Sequence, residues 1–133
     1  MKKNLSSANF SKDFEMALYE SVVKANDRNR DALVCLGYLY TKEGLHAKAL
    51  EIDKKLVTVS PEDAICHYNM TCSYSNLNML DEAFKSLEMA VLLGYSDFHH
   101  MEKDPDLRNL RNDPRYQQFI QKLKNPRTPD EKI

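Results

Sequence analysis

Thiol and imidazole side chains are the first candidates for chemistry in this sequence. Cys66 and His67 are the two residue types that an activated cysteine nucleophile needs. They are consecutive on one predicted helix, where neighbours point about 100° apart, so they cannot form a thiolate–imidazole couple with each other. His99 and His100 are adjacent in the same way and do not form a metal-binding pair. We therefore predict neither a cysteine nucleophile nor a metal site.

Other signatures of catalysis are missing from the sequence as well. It has no His-x3-His, Cys-x2-Cys or His-Glu-x2-His spacing for a metal, no Gly-x-Ser-x-Gly elbow and no glycine-rich phosphate loop. None of its many carboxylates stands in an apolar setting that would raise its pKa. The sequence therefore predicts a protein that is not an enzyme and that has no cofactor.

The charge balance restricts the classes of partner. The chain has 133 residues, a net charge of −1 and no run of the ~20 apolar residues that span a bilayer. We therefore expect neither nucleic acid nor a membrane as a partner. Arg108, Arg111 and Arg115 are interspersed with Asp106 and Asp113, which is typical of a solvated helix face rather than of a grip for RNA or an acidic partner.

The cysteines indicate a reducing compartment. Cys35, Cys66 and Cys72 are odd in number and lie within apolar helical patterns. Buried, reduced thiols in a cytoplasmic protein explain this arrangement best. The basic start of the chain, residues 1–7, has no apolar run behind it and does not have the pattern of a secretory signal. We predict a cytoplasmic location.

The elements that position these side chains repeat along the chain. A shift of 34 residues aligns residues of the same class. The matched pairs are Leu36 with Met70, Tyr40 with Tyr74, Ala49 with Ala83, and Leu50 with Phe84. Residues 30–63 and 64–97 are therefore predicted to be two copies of one structural unit.

Each copy has the pattern of two helices joined by a turn. Leu33, Leu36, Gly37 and Tyr40 recur three and four residues apart, so they share one helical face. Gly37 is where a second helix can approach the backbone closely, and Gly44 can end the first helix in a left-handed turn. With few glycines and prolines elsewhere, the sequence predicts an all-α protein.

This pattern resembles the tetratricopeptide repeat family, whose 34-residue signature is Trp-x2-Leu-Gly-x2-Tyr…Ala-x3-Phe…Pro. The matching positions are Leu33, Leu36, Gly37, Tyr40, Ala49 and Pro61 in the first copy and His67, Met70, Tyr74, Ala83, Leu87 and Ala90 in the second. The sequence departs from the signature at Asp53 in the first copy and at Thr71 and Tyr95 in the second. The resemblance implies a right-handed solenoid of tandem antiparallel helix pairs with capping helices.

The N-terminal flank resembles half a repeat. It covers residues 11–29 and opens a helical domain predicted over residues 11–124, preceded by a flexible segment at residues 1–10. An apolar stripe at a spacing of four residues could cap the stack of helices. Its members are Phe10, Phe14, Leu18 and Val22.

The C-terminal flank, residues 98–124, resembles segments that close many bacterial repeat arrays. Its two Asp-Pro pairs each place a capping acid before a proline, so they predict helix starts at Pro105 and Pro114. Residues 125–133 are polar and contain proline, and we predict a disordered tail there.

By resemblance to the family, the second face of the first helix in each copy lines a concave groove in which partner peptides lie. The predicted groove residues are Val34, Tyr38, Thr41 and Lys42 in the first copy and Ile65, Tyr68, Asn69, Cys72 and Asn76 in the second. The tyrosines offer a large contact area with a polar tip, and the asparagines can hydrogen-bond to an extended peptide. We therefore predict a non-catalytic adapter or scaffold that binds a protein or peptide segment.

The sequence is also compatible with two alternatives to an open groove. The protein's own flanking helices could cover the face, which would make Val34, Cys35, Tyr38 and Ile65 part of the core. The chain could also be a self-associating module, as a homo-oligomer or a subunit of a larger assembly, through the N-terminal stripe or a swapped terminal helix. A chaperone-tail clamp is disfavoured, because Val34 and Cys35 stand where that clamp has lysine and asparagine.

Overall fold

The computed structural model describes the backbone of residues 7–125 and the side chains of residues 10–125. Within this range the elements are α1 (Ser7–Ala25), α2 (Arg30–Lys42), α3 (His46–Val59), α4 (Ala64–Asn76), α5 (Leu80–Leu92), α6 (Phe98–Lys103), a 3-10 turn (Pro105–Leu107), α7 (Arg108–Arg111) and α8 (Tyr116–Lys124). No strand occurs between residues 7 and 125, so the all-α prediction is confirmed for that part of the chain. None of these helices is both long and apolar enough to cross a membrane.

The chain divides into two compact units, Met1–Pro61 and Glu62–Ile133. The first unit contains α1, α2 and α3, and the second contains α4 to α8. The division falls beside the boundary that the 34-residue period predicts between the two copies, after residue 63. Each of the two helix pairs, α2 with α3 and α4 with α5, therefore lies within one unit.

A tight turn joins α2 to α3 in the first unit. The side-chain oxygen of Asn29 caps α2 by accepting a hydrogen bond from the Ala32 N–H at 3.1 Å. At the other end of α2 the Leu45 N–H donates to the Tyr40 carbonyl at 2.8 Å, and Gly44 takes a left-handed φ of 75°. The chain turns back within three residues, and α3 packs against α2.

The second unit repeats this hairpin 34 residues later. Asp63 caps α4 by accepting from the Ile65 N–H at 2.9 Å. The Met79 N–H donates to the Tyr74 carbonyl at 2.9 Å, and Asn78 takes a left-handed φ of 60° at the position that corresponds to Gly44. Asparagine tolerates this conformation better than other non-glycine residues, which explains why the turn survives without glycine. The period found in the sequence is thus a period of the helix bounds and turns.

Small residues let the two helices of each hairpin approach closely. A Cβ added to Gly37 would stand 3.3 Å from Ile52 Cγ2, so the predicted close contact at this glycine is confirmed. Ala49 on α3 and Ala83 on α5 are completely buried. Larger side chains at these positions would force the helices apart, because protein interiors are close-packed.

Helix α1 packs against α2, and the Tyr40 hydroxyl donates a hydrogen bond to the Glu20 carboxylate. The predicted capping stripe does not pack in this way. Phe10, Phe14 and Leu18 are exposed, and only Val22 is half-buried. The expectation that the stripe covers a helix stack is therefore not met within the described first unit.

A closing segment, residues 98–111, covers one side of the second hairpin. The 3-10 turn and α7 both pack against α4, and α7 also contacts α5. Met101, Leu107 and Leu110 are completely buried in the same core as Leu87. The buried residues of this core all lie in the second unit.

The structure corrects two predicted boundaries and adds one helix. The 3-10 turn does begin at Pro105, but α8 begins at Tyr116 rather than at Pro114, because the Asp113 carboxylate accepts a hydrogen bond from the Arg115 N–H and holds a turn there. Helix α6 was not predicted, although Asp97 caps it by accepting from the His100 N–H. Helix α1 begins at Ser7, inside the segment predicted to be flexible. Residues 1–6 and 126–133, which hold the rest of that segment and nearly all of the predicted tail, lie outside the described residues.

Candidate functional site

The predicted groove residues of the first copy lie together on one exposed helix face. This α2 face consists of Val34, Tyr38, Thr41 and Lys42, which recur three and four residues apart. Val34 is 42% exposed and Tyr38 is 62% exposed. The Lys42 Nζ atom stands 5.6 Å from the centre of the Tyr38 ring, and the Thr41 hydroxyl donates to the Gly37 carbonyl at 3.0 Å. The α2 face offers an aromatic surface, a phenolic hydroxyl and an ammonium group to a ligand.

The predicted groove residues of the second copy divide into two sets. Ile65 and Asn69 are exposed, and as residues four apart on α4 they share a face. Tyr68 and Cys72 are only 5% and 8% exposed, and Asn76 is half-buried. The expectation that Tyr68 and Cys72 are open to a partner is therefore wrong, because the closing segment covers them.

The contact between Tyr68 and Asp104 is the centre of this covered surface. The Tyr68 hydroxyl donates to Asp104 Oδ2 at 2.6 Å. The Tyr68 ring stacks on Tyr95 with a centroid distance of 4.3 Å and an angle of 8° between the planes. Burial, followed by the neighbouring Cys72 thiol and the hydrogen bond to Asp104, raises the pKa of Tyr68 far above its ordinary value. The phenol is therefore a permanent donor to the buried carboxylate.

The Asp104 carboxylate lies close to several other polar groups. His100 Nε2 lies 3.1 Å from Asp104 Oδ2, and the Cys72 thiol lies 3.8 Å from the same oxygen. The other carboxylate oxygen accepts from the Asp106 N–H at 3.0 Å and so caps the 3-10 turn. A buried carboxylate is expensive unless it is hydrogen-bonded, and these donors meet that requirement.

Further hydrogen bonds fasten the closing segment to the last turn of α4. Asn76 Nδ2 donates to Asp106 Oδ1 at 3.1 Å. The Leu110 N–H donates to the Ser75 hydroxyl at 3.2 Å, and the Asn109 side chain donates to the Ser75 carbonyl at 3.0 Å. These bonds satisfy backbone groups that would otherwise be buried without partners. Tyr68, Cys72 and Asn76 therefore belong to the contact between α4 and the closing segment, whereas Ile65 and Asn69 stay exposed.

Arg111 holds the closing segment in its bent shape. Its Nη1 atom donates to the Met101 carbonyl at 2.6 Å and to the Asp104 carbonyl at 2.7 Å. The charge pattern predicts a solvated face for this arginine, whereas it is half-buried and bonded to two backbone carbonyls. No local pattern marks it, because its partners lie ten and seven residues earlier on another turn of the chain.

One group of side chains in the described range has the atoms that a cation would need. A thiol or carboxylate atom from each of Cys72, Asp104 and Asp106 lies within 4.8 Å of the others. The Asp104 carboxylate already accepts from Tyr68 and from the Asp106 N–H, so its oxygens are engaged in holding the closing segment. The clustering of these three side chains is therefore explained by their role in holding the closing segment on α4.

A shallow cleft lies between α5 and α8. Its volume is about 500 Å³, and Phe84, Phe119 and Arg115 are among its lining residues. The Arg115 guanidinium lies 4.7 Å from the centre of the Phe84 ring and bonds to both Asp113 and Asp81. Because the guanidinium is already paired with two carboxylates, it offers little to an anionic ligand.

Comparison with known proteins finds a partial relative. No protein-family model matches the chain. The chain is 34% identical over 96 residues to a curated protein of Arabidopsis thaliana whose name describes it as chloroplastic. The matched region is 67% of this chain but only 29% of that protein. The chain is thus similar to less than a third of the length of this relative.

Proposed function

We propose that this chain is a non-catalytic protein-interaction module of the tetratricopeptide type, and that it binds a protein or peptide segment on its α2 face. The observation that supports this proposal is that Val34 and Tyr38 are exposed on α2, whereas the corresponding residues of α4 are buried. An apolar and aromatic surface with an adjacent cation has the composition of a protein-binding site. The proposed arrangement of the hairpins is the right-handed stack that the family resemblance implies.

The side chains of the α2 face support this role physically. Tyr38 can bury a large area on binding at a small loss of side-chain entropy, which is why tyrosine is common among residues that dominate binding energy. Lys42, close to the Tyr38 ring, adds a charge that can orient a partner. Neither side chain is required for the packing of α2 against α3, because both point away from the buried positions Leu36 and Tyr40.

Comparative capture from the host cell tests the proposal. The full chain and its Tyr38→Ala variant would be immobilised, and the proteins held by each would be quantified. We expect at least one protein to be retained by the original chain and lost by the variant, with a binding free energy weaker by about 1–3 kcal/mol in a purified assay. Leu92→Ala is the matched control, since Leu92 is 74% exposed on α5. A partner that Leu92→Ala loses and Tyr38→Ala keeps would contradict the α2 assignment.

Self-association is the second candidate, and the N-terminal stripe favours it. Phe10 and Phe14 are 70% and 60% exposed, and their rings stack on each other at 6.4 Å. Leu18 continues the stripe and is 49% exposed. Sedimentation analysis of the chain and of a Phe10→Ser, Phe14→Ser variant tests this candidate. A concentration-dependent dimer that the variant abolishes supports it, and a monomer for both proteins excludes it.

The cytoplasmic location stays a prediction. The name of the Arabidopsis relative places that protein in the chloroplast, and this makes the chloroplast the specific alternative for the present chain. Imaging of a full-length fluorescent fusion in the host cell separates the two locations.

A further inference from the structure

The closing segment shows which side-chain contacts the outer face of α4 makes with an acidic stretch of the same chain. It lies on α4 and presents two carboxylates that are separated by a single proline, Pro105. The Asp104 carboxylate meets Tyr68 and Cys72, and the Asp106 carboxylate meets Asn76. The contacted residues on α4 are four apart, so a short acidic segment runs along one helix face and meets a donor on each turn.

The 34-residue period places corresponding groups on α2. Val34, Tyr38 and Lys42 take the positions of Tyr68, Cys72 and Asn76. Val34 has no donor in place of the Tyr68 hydroxyl. At the other two positions, Tyr38 has a phenolic hydroxyl where α4 has a thiol, and Lys42 has an ammonium group where α4 has a neutral amide. Both replacements strengthen the donor toward a carboxylate, because a thiol is a weak donor and a charged donor bonds more strongly than a neutral one.

The charges around the α2 face leave Lys42 available at its end of the helix. Glu43, its neighbour, pairs with Lys12 at 3.1 Å. Asp31 is about three turns away, at the other end of α2. A carboxylate that approaches Lys42 therefore meets a cation and, one turn earlier on α2, the Tyr38 hydroxyl.

We infer that the α2 face takes an extended acidic segment of a partner protein, of the Asp-Pro-Asp type that the closing segment itself presents to α4, with a carboxylate at Tyr38 and Lys42. This inference rests on the proposed function and specifies its ligand. The proline matters because it restricts the backbone before binding, which reduces the entropy that the peptide loses.

A titration of the isotope-labelled full chain, followed by nuclear magnetic resonance, tests the inference. The probe is the end-blocked peptide Asp-Pro-Asp-Leu, and the matched control peptide is Asn-Pro-Asn-Leu. We expect the acidic peptide to shift the amide signals of Tyr38 and Lys42, and the neutral peptide to bind at least about threefold more weakly. Raising the salt concentration to about 0.5 M should weaken binding of the acidic peptide, because the contact with Lys42 is at the surface.

Two variants locate the charge that is responsible. Lys42→Ala should weaken binding of the acidic peptide about three- to tenfold, and Lys42→Arg should retain most of it. Lys85→Ala, which removes an exposed lysine from the second unit, should leave the affinity unchanged. Equal loss in Lys42→Ala and Lys85→Ala would show a nonspecific charge effect and overturn the inference.

The remaining outcomes separate this inference from the proposed function. Equal binding of both peptides at the α2 face would overturn the acidic preference and leave the proposed function standing. Signal shifts at Tyr68 and Asn76 instead of Tyr38 would mean that the peptide displaces the closing segment. The absence of shifts at both helices would mean that no acidic segment binds. Either result overturns the inference. Dimerisation without peptide binding would overturn it too, by assigning the face to a second copy. The proposed function itself fails only if the captured partner does not depend on Tyr38.

Discussion

Helices α2 and α4 hold the same place in two copies of one hairpin, but their outer faces have different surroundings. On α2, Tyr38 is 62% exposed, whereas its counterpart on α4, Cys72, is 8% exposed. The difference does not come from the hairpins, whose caps, bounds and turns match. It comes from the closing segment, which lies on α4 and has no equivalent on α2 within the described part of the first unit. The same face of the repeat is therefore exposed in one copy and buried in the other.

The largest expected difference between the two faces is in the effect of truncation on stability. Leu110→Ala removes a completely buried contact between the closing segment and the second hairpin, and should cost about 2–5 kcal/mol in the free energy of unfolding. Val34→Ala on the exposed α2 face should change it by less than about 0.5 kcal/mol. Urea denaturation measures both. Similar losses for the two variants would mean that the α2 face is also part of a core.

Overpacking should affect the two hairpins alike. Ala49→Leu and Ala83→Leu each add a large side chain at a completely buried crossing of two helices, and each should cost about 1–3 kcal/mol. Thermal denaturation of both variants measures this effect. Ala47→Leu is the control, since Ala47 is exposed on the same helix as Ala49. A tolerated Ala83→Leu beside a damaging Ala49→Leu would show that the hairpins are packed less similarly than their bounds indicate.

Removal of the hydroxyl should lower the free energy of unfolding more at Tyr68 than at Tyr38. Tyr68→Phe leaves the buried Asp104 carboxylate without its closest donor and should cost about 1–3 kcal/mol at neutral pH. Tyr38→Phe, on the exposed face, should change stability by less than about 0.5 kcal/mol. Equal stability of the two variants would contradict the role of Tyr68 as the donor that anchors the closing segment.

The pH dependence of stability provides a further test of the Tyr68 hydroxyl. The pKa of Tyr68 is raised by folding, so its contribution to stability is present below the unfolded value of about 10 and is lost as the pH rises further. Melting temperatures above pH 10 should therefore fall more steeply for the original protein than for Tyr68→Phe. Parallel curves would show that the phenol does not need to be protonated.

The smallest effect is expected at the turn before α8. Hydrogen bonds from the Arg115 side chain and backbone lower the pKa of Asp113 to about 2. The stabilisation is present above the unfolded value of about 4 and is lost as the pH falls toward 2. Asp113→Asn should reduce the acid sensitivity of the melting temperature in that range, whereas Asp27→Asn, at an exposed acid of the first unit, should leave it unchanged. The same acid sensitivity in all three proteins would exclude Asp113 as its source.

The hairpins could be predicted from the sequence because their determinants are local. Gly37 and Ala49 mark the helix crossing, and Gly44 marks the turn, all within one 34-residue period. The turn at Asn78 was harder to recognise, since asparagine there lacks the clear signal of glycine. The start of α8 was misplaced because Asp113 caps a turn rather than a helix, and the sequence pattern of the two is the same.

The division of the candidate site into an open and a covered part could not be predicted. The family resemblance predicts Val34, Tyr38 and Lys42 as groove residues, and the structure places them on one exposed face. The burial of Tyr68 depends on Asp104, which lies 36 residues away. Asp104 can be identified as a cap from the proline that follows it, but nothing in the surrounding sequence indicates which helix its carboxylate reaches. A contact of this kind is decided by tertiary packing rather than by local pattern.

The hydrogen bond between Tyr68 and Asp104 also has an evolutionary consequence. A descendant that lost the hydroxyl alone would keep a buried carboxylate with one donor fewer, and one that lost the carboxylate alone would keep a buried phenol without its acceptor. Replacement of both groups by apolar side chains of similar shape avoids either penalty. Among divergent descendants of this chain, positions 68 and 104 should therefore change together, while the exposed positions 34, 38 and 42 can change one at a time.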